Sequence, residues 1–408
     1  MKRKLLLLLL VCCFFLSSCA KKDDKVEVTY STWGSQSEIS VVKNIISDFE
    51  KENPAIKIKL LHIPDNYFQK LHLLIASDLS PDVMFINNLN ARIYIAADVL
   101  EPLSVDEDDF LENSLKPFTY NAKLYAVPRD ISNIIIYYNK DLFDKYNVPY
   151  PDNNWTRQEF LTTAQALTKD TDKDGKIDIF GFGFENNSIY WLPFLLSDGG
   201  GIIAKDEKSI ILNNDKSINA LQFYADLRNK YHVAPKADEQ ASLTTSQLFL
   251  QGKVAMHLCG RWCSLTYKKN ADFNWDVVMF PMGTNGHVVG LDASGWAISS
   301  KSKHKYEAKK FVDFISSKNS VELMTQSGLI FPANKSVALS KVFSAPPPYN
   351  TYVFFETLYS SQATPISSKY AEINDILNEE FEPLFEGKMS AKDVINNKLI
   401  HKLENKLD

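Results

Sequence analysis

Along the N-terminal part of the chain, apolar residues recur at two alternating spacings. Val26, Val28 and Tyr30 occupy every second position, which predicts a β-strand with one buried face. The next apolar residues recur at helical spacing and stop before a proline, at Ile39, Val42, Ile45, Ile46 and Phe49. A strand over 56–63, a helix over 67–75 and a strand over 83–86 repeat this order. The alternation predicts an α/β fold with mainly parallel sheets.

The rest of the chain continues this pattern. Thr156 and Glu159 have the spacing of a capping box, so we expect a helix from there to Leu167. Further helices are predicted near 216–231, 244–251, 304–318, 367–386 and 390–406. Further strands are predicted near 133–138, 254–259, 275–280 and 294–299. Three consecutive prolines at 346–348 suit neither a helix nor a central strand, and they predict a surface crossing.

Residues 1–19 have the pattern of an export signal. A basic start over 1–4 precedes an apolar run over 5–16 that is too short to cross a membrane as a helix. The sequence Leu-Ser-Ser-Cys over 16–19 resembles a bacterial lipobox, which implies cleavage before Cys19 and lipidation of its thiol. The alternative is an ordinary signal peptide with an incidental cysteine. We therefore expect a lipoprotein signal peptide over 1–18 and a lipidated tether over 19–25.

Length and charge narrow the class of protein. The 408-residue chain has a formal net charge of −5, which becomes about −8 once the three basic residues of the signal are removed. No basic stripe is present, which argues against nucleic-acid binding. The mature part is longer than a chain that usually folds around one hydrophobic core, so we expect two lobes. No later segment is apolar enough to span a bilayer, so we expect the mature body to be soluble.

Two of the five cysteines, Cys259 and Cys263, fall outside the signal and the lipidation site. Four residues apart across a bend, they could meet the Cα spacing of a disulfide, and an exported location would permit the bond. Two small buried thiols are the simpler interpretation, and we prefer it.

Five sequence blocks resemble one protein family. Three are long, namely LYAVPRDISNIIIYYNKDLFDKYNVPYPDNNWTRQEF over 124–160, FLQGKVAMHLCGRW over 249–262 and GLDASGWAISSKSKHKYEAKKFVDFI over 290–315. The shorter two are TYSTWGSQSE over 29–38 and SPDVMF over 80–85. Together they resemble the bacterial extracellular solute-binding protein family 1, whose lipoproteins serve ATP-driven sugar importers and which includes maltodextrin-binding proteins. The blocks span nearly the whole mature chain.

This resemblance implies the type II fold of periplasmic binding proteins. Such a fold has two α/β lobes, each a mainly parallel sheet flanked by helices, joined by a hinge of three crossings that closes over a ligand. We place the crossings near Pro128, Gly286 and Pro346. One lobe then holds 26–128 and 287–343, and the other holds 129–286 and 344–408. The ligand is expected in the cleft between the lobes.

The expected ligand determines which side chains are candidates. A sugar has an apolar ring face and a rim of hydroxyls, so its site needs flat aromatic surfaces and groups that both donate and accept hydrogen bonds. The aromatic candidates lie at predicted strand ends or at positions the family uses: Trp33, Tyr190, Trp191, Trp262 and Trp296. The alternative for Trp33 is a position on the lobe surface, packed on the following helix, and the alternative for the others is burial in a core. We favour Trp262 most.

The polar candidates follow predicted strands or match the family's first crossing and third long block. They are Ser35, Gln36, Asn87, Asn88, Asp130, Asn133, Arg261 and Asp292. Asn90 and Ser132 belong to the same loops. Arg261 could donate hydrogen bonds to hydroxyls or to a carboxylate. Asp82 is expected to have a structural role at the start of its strand.

An acidic segment matches the first part of a calcium-binding loop. Its candidate ligands are Asp170, Asp172, Asp174, Lys176 through its backbone carbonyl, and Asp178. Gly175 has the position of the glycine that makes the turn, but Gly181 stands where a bidentate glutamate would be, so we expect modest affinity. Similar loops bind structural calcium in some members of the resembled family. The alternative is a solvated acidic turn, and we favour calcium.

The resemblance implies a non-enzymatic substrate-binding lipoprotein of an ABC importer. It would bind a sugar or oligosaccharide and deliver it to the permease subunits, as a monomer anchored by its lipid at the extracytoplasmic face of the cell membrane or in the periplasm. The alternatives are a lipoprotein that senses ligand for a membrane receptor and an extracellular carbohydrate-active enzyme. Hydrolase, zinc-protease, phosphate-loop and Cys-x-x-Cys motifs are absent, and no local motif singles out a carboxylate pair. A uronate oligomer or a sugar phosphate stays open as the ligand.

Overall fold

The structure, a computed structural model, describes residues 25–204, 208–240, 242–363 and 369–407. The predicted signal peptide, Cys19 and most of the tether therefore lie outside the described residues. The strands are β1 (Val26–Thr32), β2 (Ile56–His62), β3 (Val83–Asn87), β4 (Thr119–Tyr120), β5 (Lys123–Leu124), β6 (Val127–Asn133), β7 (Ile135–Asn139), β8 (Phe180–Phe182), β9 (Val254–Cys259), β10 (Trp275–Val278), β11 (Gly290–Ile298) and β12 (Gln362–Ala363).

Helices connect and flank these strands. They are α1 (Gln36–Glu52), α2 (Tyr67–Ala76), α3 (Asn88–Ala96), α4 (Glu112–Leu115), α5 (Lys140–Lys145), α6 (Arg157–Leu167), α7 (Ser188–Ser197), α8 (Asp215–Asn229), α9 (Thr245–Leu250), α10 (Trp262–Asn270), α11 (Lys305–Ile315), α12 (Lys318–Ser327), α13 (Lys335–Ala338), α14 (Tyr352–Ser360), α15 (Tyr370–Glu380), α16 (Glu382–Phe385), α17 (Ala391–Val394) and α18 (Asn397–Leu407). Short 3-10 helices cover Glu107–Asp109 and Lys116–Phe118.

The first lobe is built on a mixed sheet. Its strands lie in the order β12-β11-β3-β1-β2, and β6 pairs with β11. β1 runs parallel to β2 and β3, as the alternating pattern predicts. β11 runs antiparallel to β3 and β6, because β6 leads the chain out of this lobe and β11 brings it back.

The second lobe is built on a sheet in the order β10-β7-β9-β8. Here β7 is antiparallel to both of its neighbours, and β8 is parallel to β9. The two predicted α/β lobes are thus confirmed, but their sheets are mixed rather than mainly parallel. Long connections through helices and the other lobe allow neighbouring strands to run in either direction.

Each lobe has its own core. The predicted helical stripe from Ile39 to Phe49 is buried on α1 and packs on β1 and α11 in the first lobe. In the second lobe, α6, α7 and α8 enclose the sheet together with the C-terminal helices. A third hydrophobic cluster joins β7 and β10 to Phe331, Phe343 and Phe354, which come from the C-terminal part of the chain.

The chain segments that cross from one lobe to the other, called passages from here on, lie away from the predicted crossing at two of three places. β6 stays paired with β11 as far as Asn133, so the first passage lies between β6 and β7 and not near Pro128. The second lies between β10 and β11 and includes Gly286, as expected. After the proline segment, β12 still pairs with β11 of the first lobe, so the third passage lies between β12 and α15 rather than near Pro346.

These pairings move the lobe boundaries. The first lobe contains the chain up to Asn133 and again from Gly290 to Ala363. The second lobe begins at Ile135 and also contains α15 to α18. Within the described part of the chain, none of the helices combines the length and apolar character needed to cross a membrane.

Candidate functional site

Three neighbouring cavities form a groove between the lobes. An aromatic cavity of about 560 Å³, lined by Trp33 and Trp262, shares Asn87 and Asp292 with a central cavity of about 400 Å³. The central cavity shares Tyr370 with a glycine cavity of about 300 Å³, which is lined by the run 199–201. Neighbouring cavities share wall residues, so the three lie side by side.

Helix starts form much of the wall of this groove. Ser35, Asn87 and Asn187 are the N-cap residues of α1, α3 and α7, and all three line the cavities. β1 and β3 lead directly into α1 and α3, so the carboxyl ends of parallel strands place two of these caps at the same edge of the sheet. Glu38 closes a capping box with Ser35, whose N–H donates to Oε2 of Glu38 at 2.6 Å.

Trp33 and Trp262 approach the aromatic cavity from different lobes. Trp33 follows β1 of the first lobe, and its ring centroid lies 4.2 Å from that of Phe85 and 5.0 Å from that of Tyr67. Trp262 opens α10 directly after β9 of the second lobe. Both side chains are half-buried, so each leaves part of an aromatic surface available to a ligand.

The loop that carries Trp262 is closed by a disulfide bond. Cys259 and Cys263 form a disulfide, so the preferred interpretation of two separate thiols is wrong. The end of β9 and the first turn of α10 bring their Cα atoms to 6.3 Å, within the range that the bond requires.

Arg129 and Asp130 form a charged pair in the wall of the aromatic cavity. Nε and Nη2 of Arg129 donate to Asp130 at 3.2 and 3.1 Å, and the Ser294 hydroxyl also donates to this carboxylate. The guanidinium lies 4.1 Å from the centre of the Phe85 ring, whose neighbour is Trp33. The positive charge is therefore matched by a carboxylate inside the site.

Asn88 and Asp292 add polar groups to the wall. Nδ2 of Asn88 donates to Asp292 at 2.9 Å, and Oδ1 of Asn88 accepts from the N–H of Ala293 at 3.3 Å. These bonds fix the amide orientation and hold the Asp292 carboxylate toward the junction of the aromatic and central cavities. A carboxylate held there can accept a hydroxyl donor from a bound sugar.

The second lobe contributes tyrosines to the central cavity. Burial raises the pKa of Tyr190 well above its ordinary value, and the negative charge of Glu185 raises it further. Burial, followed by the charge of Asp292, raises the pKa of Tyr370 in the same way. Both hydroxyls are therefore neutral and can donate as well as accept hydrogen bonds.

The structure thus brings most of the predicted ligand-binding residues to the groove. These are Trp33, Ser35, Asn87, Asn88, Asp130, Tyr190, Trp262 and Asp292. They come from chain segments far apart in sequence, and both lobes contribute.

The other predicted residues are placed elsewhere, which corrects the expectation that they line the cleft. Trp191 is fully buried against Phe381 in the second lobe, and Trp296 is buried in the first lobe, with its Nε1 donating to the Tyr30 hydroxyl at 3.1 Å. Arg261 lies beneath the cleft loop and Asn133 lies at the first passage, both buried. Gln36 begins α1 at an exposed position outside the cavity walls.

Several groove residues were not predicted from the sequence. They are Glu38, Arg129, Asn187, Lys216, Ser294, Tyr370 and Asn374. Asn187 could have been found, since an asparagine before the apolar run 189–196 is a helix N-cap signal. Tyr370 and Asn374 lie on a helix whose approach to the groove depends on the third passage, which has no local sequence signal.

The acidic segment forms a compact turn between α6 and β8. Oxygen atoms of Asp170, Asp172 and Asp174 lie within 4.8 Å of one another. Asp178 instead accepts the hydroxyl of Thr171 at 2.5 Å and its N–H at 2.6 Å, and these two bonds hold the pKa of its carboxyl below the usual range. A Cβ at Gly181 would meet the Ala164 carbonyl oxygen at 1.9 Å, so close packing excludes a glutamate at this position. Three clustered carboxylates provide the oxygen ligands that Ca²⁺ prefers, although they form only part of a full coordination sphere.

Comparison with known proteins assigns the family. The family model described as "Bacterial extracellular solute-binding protein" matches residues 33–321. An arabinooligosaccharide-binding protein of Bacillus subtilis is 26% identical over 397 residues, covering 93% of this chain and 88% of that protein. A maltodextrin-binding protein of the same organism is 26% identical over 320 residues, covering 72% of this chain and 70% of that protein.

Solved structures give the same assignment. An ABC substrate-binding protein of Listeria monocytogenes, in complex with cycloalternan, superposes with a TM-score of 0.85 at 26% identity, covering 94% of this chain and 98% of that one. A maltose/maltodextrin-binding domain of Bdellovibrio bacteriovorus bound to maltotriose has a TM-score of 0.81 at 19% identity, with 94% and 98% coverage, which shows a shared fold. The family model covers well over half of the chain, and the chain therefore belongs to the family of bacterial extracellular solute-binding proteins.

Proposed function

We propose that this protein binds an oligosaccharide in the groove between its lobes and delivers it to the permease subunits of an ABC importer. The observation that carries this proposal is the aromatic cavity, in which Trp33 of one lobe and Trp262 of the other line the same space. Aromatic surfaces on both sides suit the apolar faces of a sugar ring. A ligand held between them would favour the closed arrangement of the lobes, because both walls would contribute to binding.

The length of the groove favours an oligosaccharide over a monosaccharide. Three cavities with shared walls run from Trp33 to the glycine run 199–201. The aromatic and central cavities combine flat rings with amide, carboxylate and neutral tyrosine hydroxyl groups. This mixture can satisfy ring faces and hydroxyl rims of successive sugar units. A relative named for binding arabinooligosaccharides and a structural neighbour bound to maltotriose have ligands of this class.

The charge of the aromatic cavity favours a neutral sugar. The guanidinium of Arg129 is paired with Asp130, and Asp292 and Glu38 add negative charge near the same cavity. A uronate or a sugar phosphate would bring its own negative charge to these carboxylates and would have to compete for the paired arginine. We therefore propose a neutral oligosaccharide.

The remaining parts of the proposal concern location and partners. We propose that Cys19 is lipidated and holds the monomeric protein at the extracytoplasmic face of the membrane, where the permease collects the ligand. A pneumococcal relative is named a maltooligosaccharide ABC transporter solute-binding lipoprotein, and it is 27% identical over 225 residues. The family and its structural neighbours are binding proteins. We accordingly propose binding without turnover of the sugar.

We also propose that the turn containing Asp170, Asp172 and Asp174 holds one Ca²⁺ ion. The support is the clustering of three carboxylates and their spacing in a calcium-loop pattern. The ion would have a structural role, since these residues do not line the groove.

A thermal-shift screen tests the proposed function. The protein without its signal and lipid is heated with arabino-, galacto- and maltooligosaccharides of increasing length, and with uronate oligomers and sugar phosphates. A ligand present at a hundred times its Kd should stabilise the fold by about 2.7 kcal/mol. The proposal expects such a shift for a neutral oligosaccharide without release of shorter sugars. A shift confined to acidic sugars, or hydrolysis of the ligand, would reject it.

A further inference from the structure

The loop that carries Trp262 is held from several directions. Gly260, Arg261 and Trp262 lie between the two bonded cysteines, so the disulfide closes a ring of five residues around them. Within this ring, the Tyr137 hydroxyl donates to the Gly260 carbonyl at 3.0 Å.

The indole of Trp262 rests directly on the Gly260 backbone. A Cβ added at Gly260 would meet Cζ3 of this indole at 1.9 Å and Cη2 at 2.3 Å. Any side chain at position 260 would therefore displace the ring. This close approach, and not an unusual backbone conformation, explains the need for glycine here.

Arg261 extends the opposite way, into the molecule. It is 2% exposed, and its guanidinium lies 4.7 Å from the Phe343 ring centre and 5.0 Å from that of Phe354. Nη2 donates to the Phe343 carbonyl at 3.2 Å. Phe343 follows the first-lobe helix α13 and Phe354 belongs to α14, so this buried arginine connects the Trp262 loop to the chain that precedes the third passage.

Trp262 itself lies where the hydrophobic clusters meet. It packs against the core of the first lobe, the core of the second lobe and the cluster that contains Phe343 and Phe354. A small rotation of its loop would thus change both the aromatic cavity and the contact between the lobes.

From these contacts we propose that the Cys259–Cys263 disulfide and Arg261 are positioning elements for sugar binding, which hold Trp262 in its binding orientation before the ligand arrives. The proposal rests on the proposed function, because it requires Trp262 to contact the sugar. A ring fixed in advance loses less conformational freedom on binding, so fixing it raises affinity without adding a contact. The disulfide can restrict the movement of Trp262, since both cysteines are buried and lie on either side of it in the sequence.

Affinity measurements in two backgrounds test the proposal. The probe is maltotriose, or whichever oligosaccharide of the screen binds more tightly, and Kd is measured by calorimetry well below each melting temperature. The variant Cys259→Ala/Cys263→Ala should bind about three- to tenfold more weakly than the unaltered protein. In a Trp262→Ala background the same two substitutions should leave Kd unchanged, because the residue that they position is absent. Removing the disulfide should also lower the melting temperature, and this loss of stability should be seen in both backgrounds.

Further measurements test the proposal without depending on how well the cysteine variant folds. The unaltered protein treated with dithiothreitol, which reduces the bond to two thiols, should lose affinity to the same extent and regain it on reoxidation. The Cys259→Ala/Cys263→Ala protein should not respond to the reductant. Gly260→Ala and Arg261→Met should weaken binding in the presence of Trp262 and have no effect on Kd in its absence.

The outcomes separate this proposal from the proposed function. Unchanged affinity without the disulfide, or an equal loss with and without Trp262, would overturn the positioning role while leaving sugar binding intact. Failure of every sugar to bind would overturn the proposed function. Tight binding that is insensitive to Trp262→Ala would show that the sugar is held elsewhere, which overturns the positioning role as well.

Discussion

Trp33 and Trp262, which belong to different lobes, line the same cavity of about 560 Å³. Trp33 is supported by rings of its own lobe, with Phe85 and Tyr67 closest, whereas Trp262 is supported by the glycine beneath it. The two aromatic surfaces therefore come from different lobes, and Trp262 also packs against the core of the first lobe. This arrangement makes the affinity for sugar depend on how the lobes are placed.

Asp130→Asn tests the charge of the cavity. The substitution leaves the mostly buried guanidinium of Arg129 without its carboxylate partner. We expect affinity for a neutral oligosaccharide to fall about tenfold, because an uncompensated charge disturbs the wall, and affinity for a uronate oligomer to rise. Calorimetry with matched neutral and acidic sugars measures both. The double variant Arg129→Gln/Asp130→Asn removes both charges and should lose the gain for uronates. Unaltered sugar preference in Asp130→Asn would show that the pair does not set selectivity.

Asp172→Ala/Asp174→Ala tests the calcium turn. Millimolar Ca²⁺ at about ten times its Kd should stabilise the unaltered protein by about 1.4 kcal/mol, seen as a small rise in Tm. The double variant should show no rise. Asp106→Ala/Asp108→Ala, which removes two exposed acidic residues elsewhere, is the matched control and should respond like the unaltered protein. Equal responses from all three proteins would mean that the turn holds no calcium.

His257 should make stability depend on pH. Burial lowers the pKa of His257 to about 3, and the ring contacts the Tyr267 hydroxyl at 2.6 Å. The unfolded chain takes up this proton near its ordinary pKa of about 6.5, whereas the folded chain does not, so folding is opposed as pH falls from 6.5 toward 3. The free energy of unfolding should decrease by about 2 kcal/mol between pH 7 and pH 5.

Urea denaturation of the unaltered protein and of His257→Gln measures this effect. The variant is expected to be less stable at pH 7 but to show a flatter profile between pH 7 and pH 5. Carboxylates with lowered pKa values, such as Asp109, act mainly at lower pH and affect both proteins alike. Identical slopes would assign the pH dependence to other groups.

Cys19→Ala tests the membrane anchor. We expect the variant to remain unprocessed and to carry no acyl chains, because the thiol that would be lipidated is missing. Labelling of cells with a radioactive fatty acid, followed by fractionation, checks both points. Cys12→Ala, within the apolar run, is the matched control and should be processed normally. Continued acylation of Cys19→Ala would disprove the lipoprotein assignment.

The sequence was informative where a pattern is local. The stripe on α1 and the capping box at Thr156 follow from periodicity and cap chemistry, and they match the structure. Asn87 was predicted at the edge of the site because it follows a buried strand, and it became the cap of α3. The helix after it was not predicted.

The sequence was less informative where the outcome depends on long-range packing. Trp191 and Trp262 both lie near glycines and strand or helix ends, yet one is fully buried and the other faces the groove. Periodicity and burial pattern do not distinguish them, because burial depends on which distant helix covers the ring, and the preference for Trp262 came from the family resemblance. The passages were misplaced for a related reason, since pairing of β6 with β11 joins residues far apart in sequence.

Sugar binding between the lobes is tested most directly by a titration with the oligosaccharide, carried out with Trp33→Ala, Trp262→Ala and the double variant. Removing either ring deletes its stacking surface and the apolar area that it buries, so each single variant should bind at least about tenfold more weakly. Both rings are half-buried and pack on neighbours, so Kd is measured by calorimetry at a temperature where circular dichroism shows each variant folded. Ile373→Val, a conservative change in the core of the second lobe, controls for lost stability and should keep the unaltered affinity. We expect one bound sugar per protein, with binding weakened by the loss of either tryptophan. Unchanged affinity in both single variants would contradict binding between the lobes.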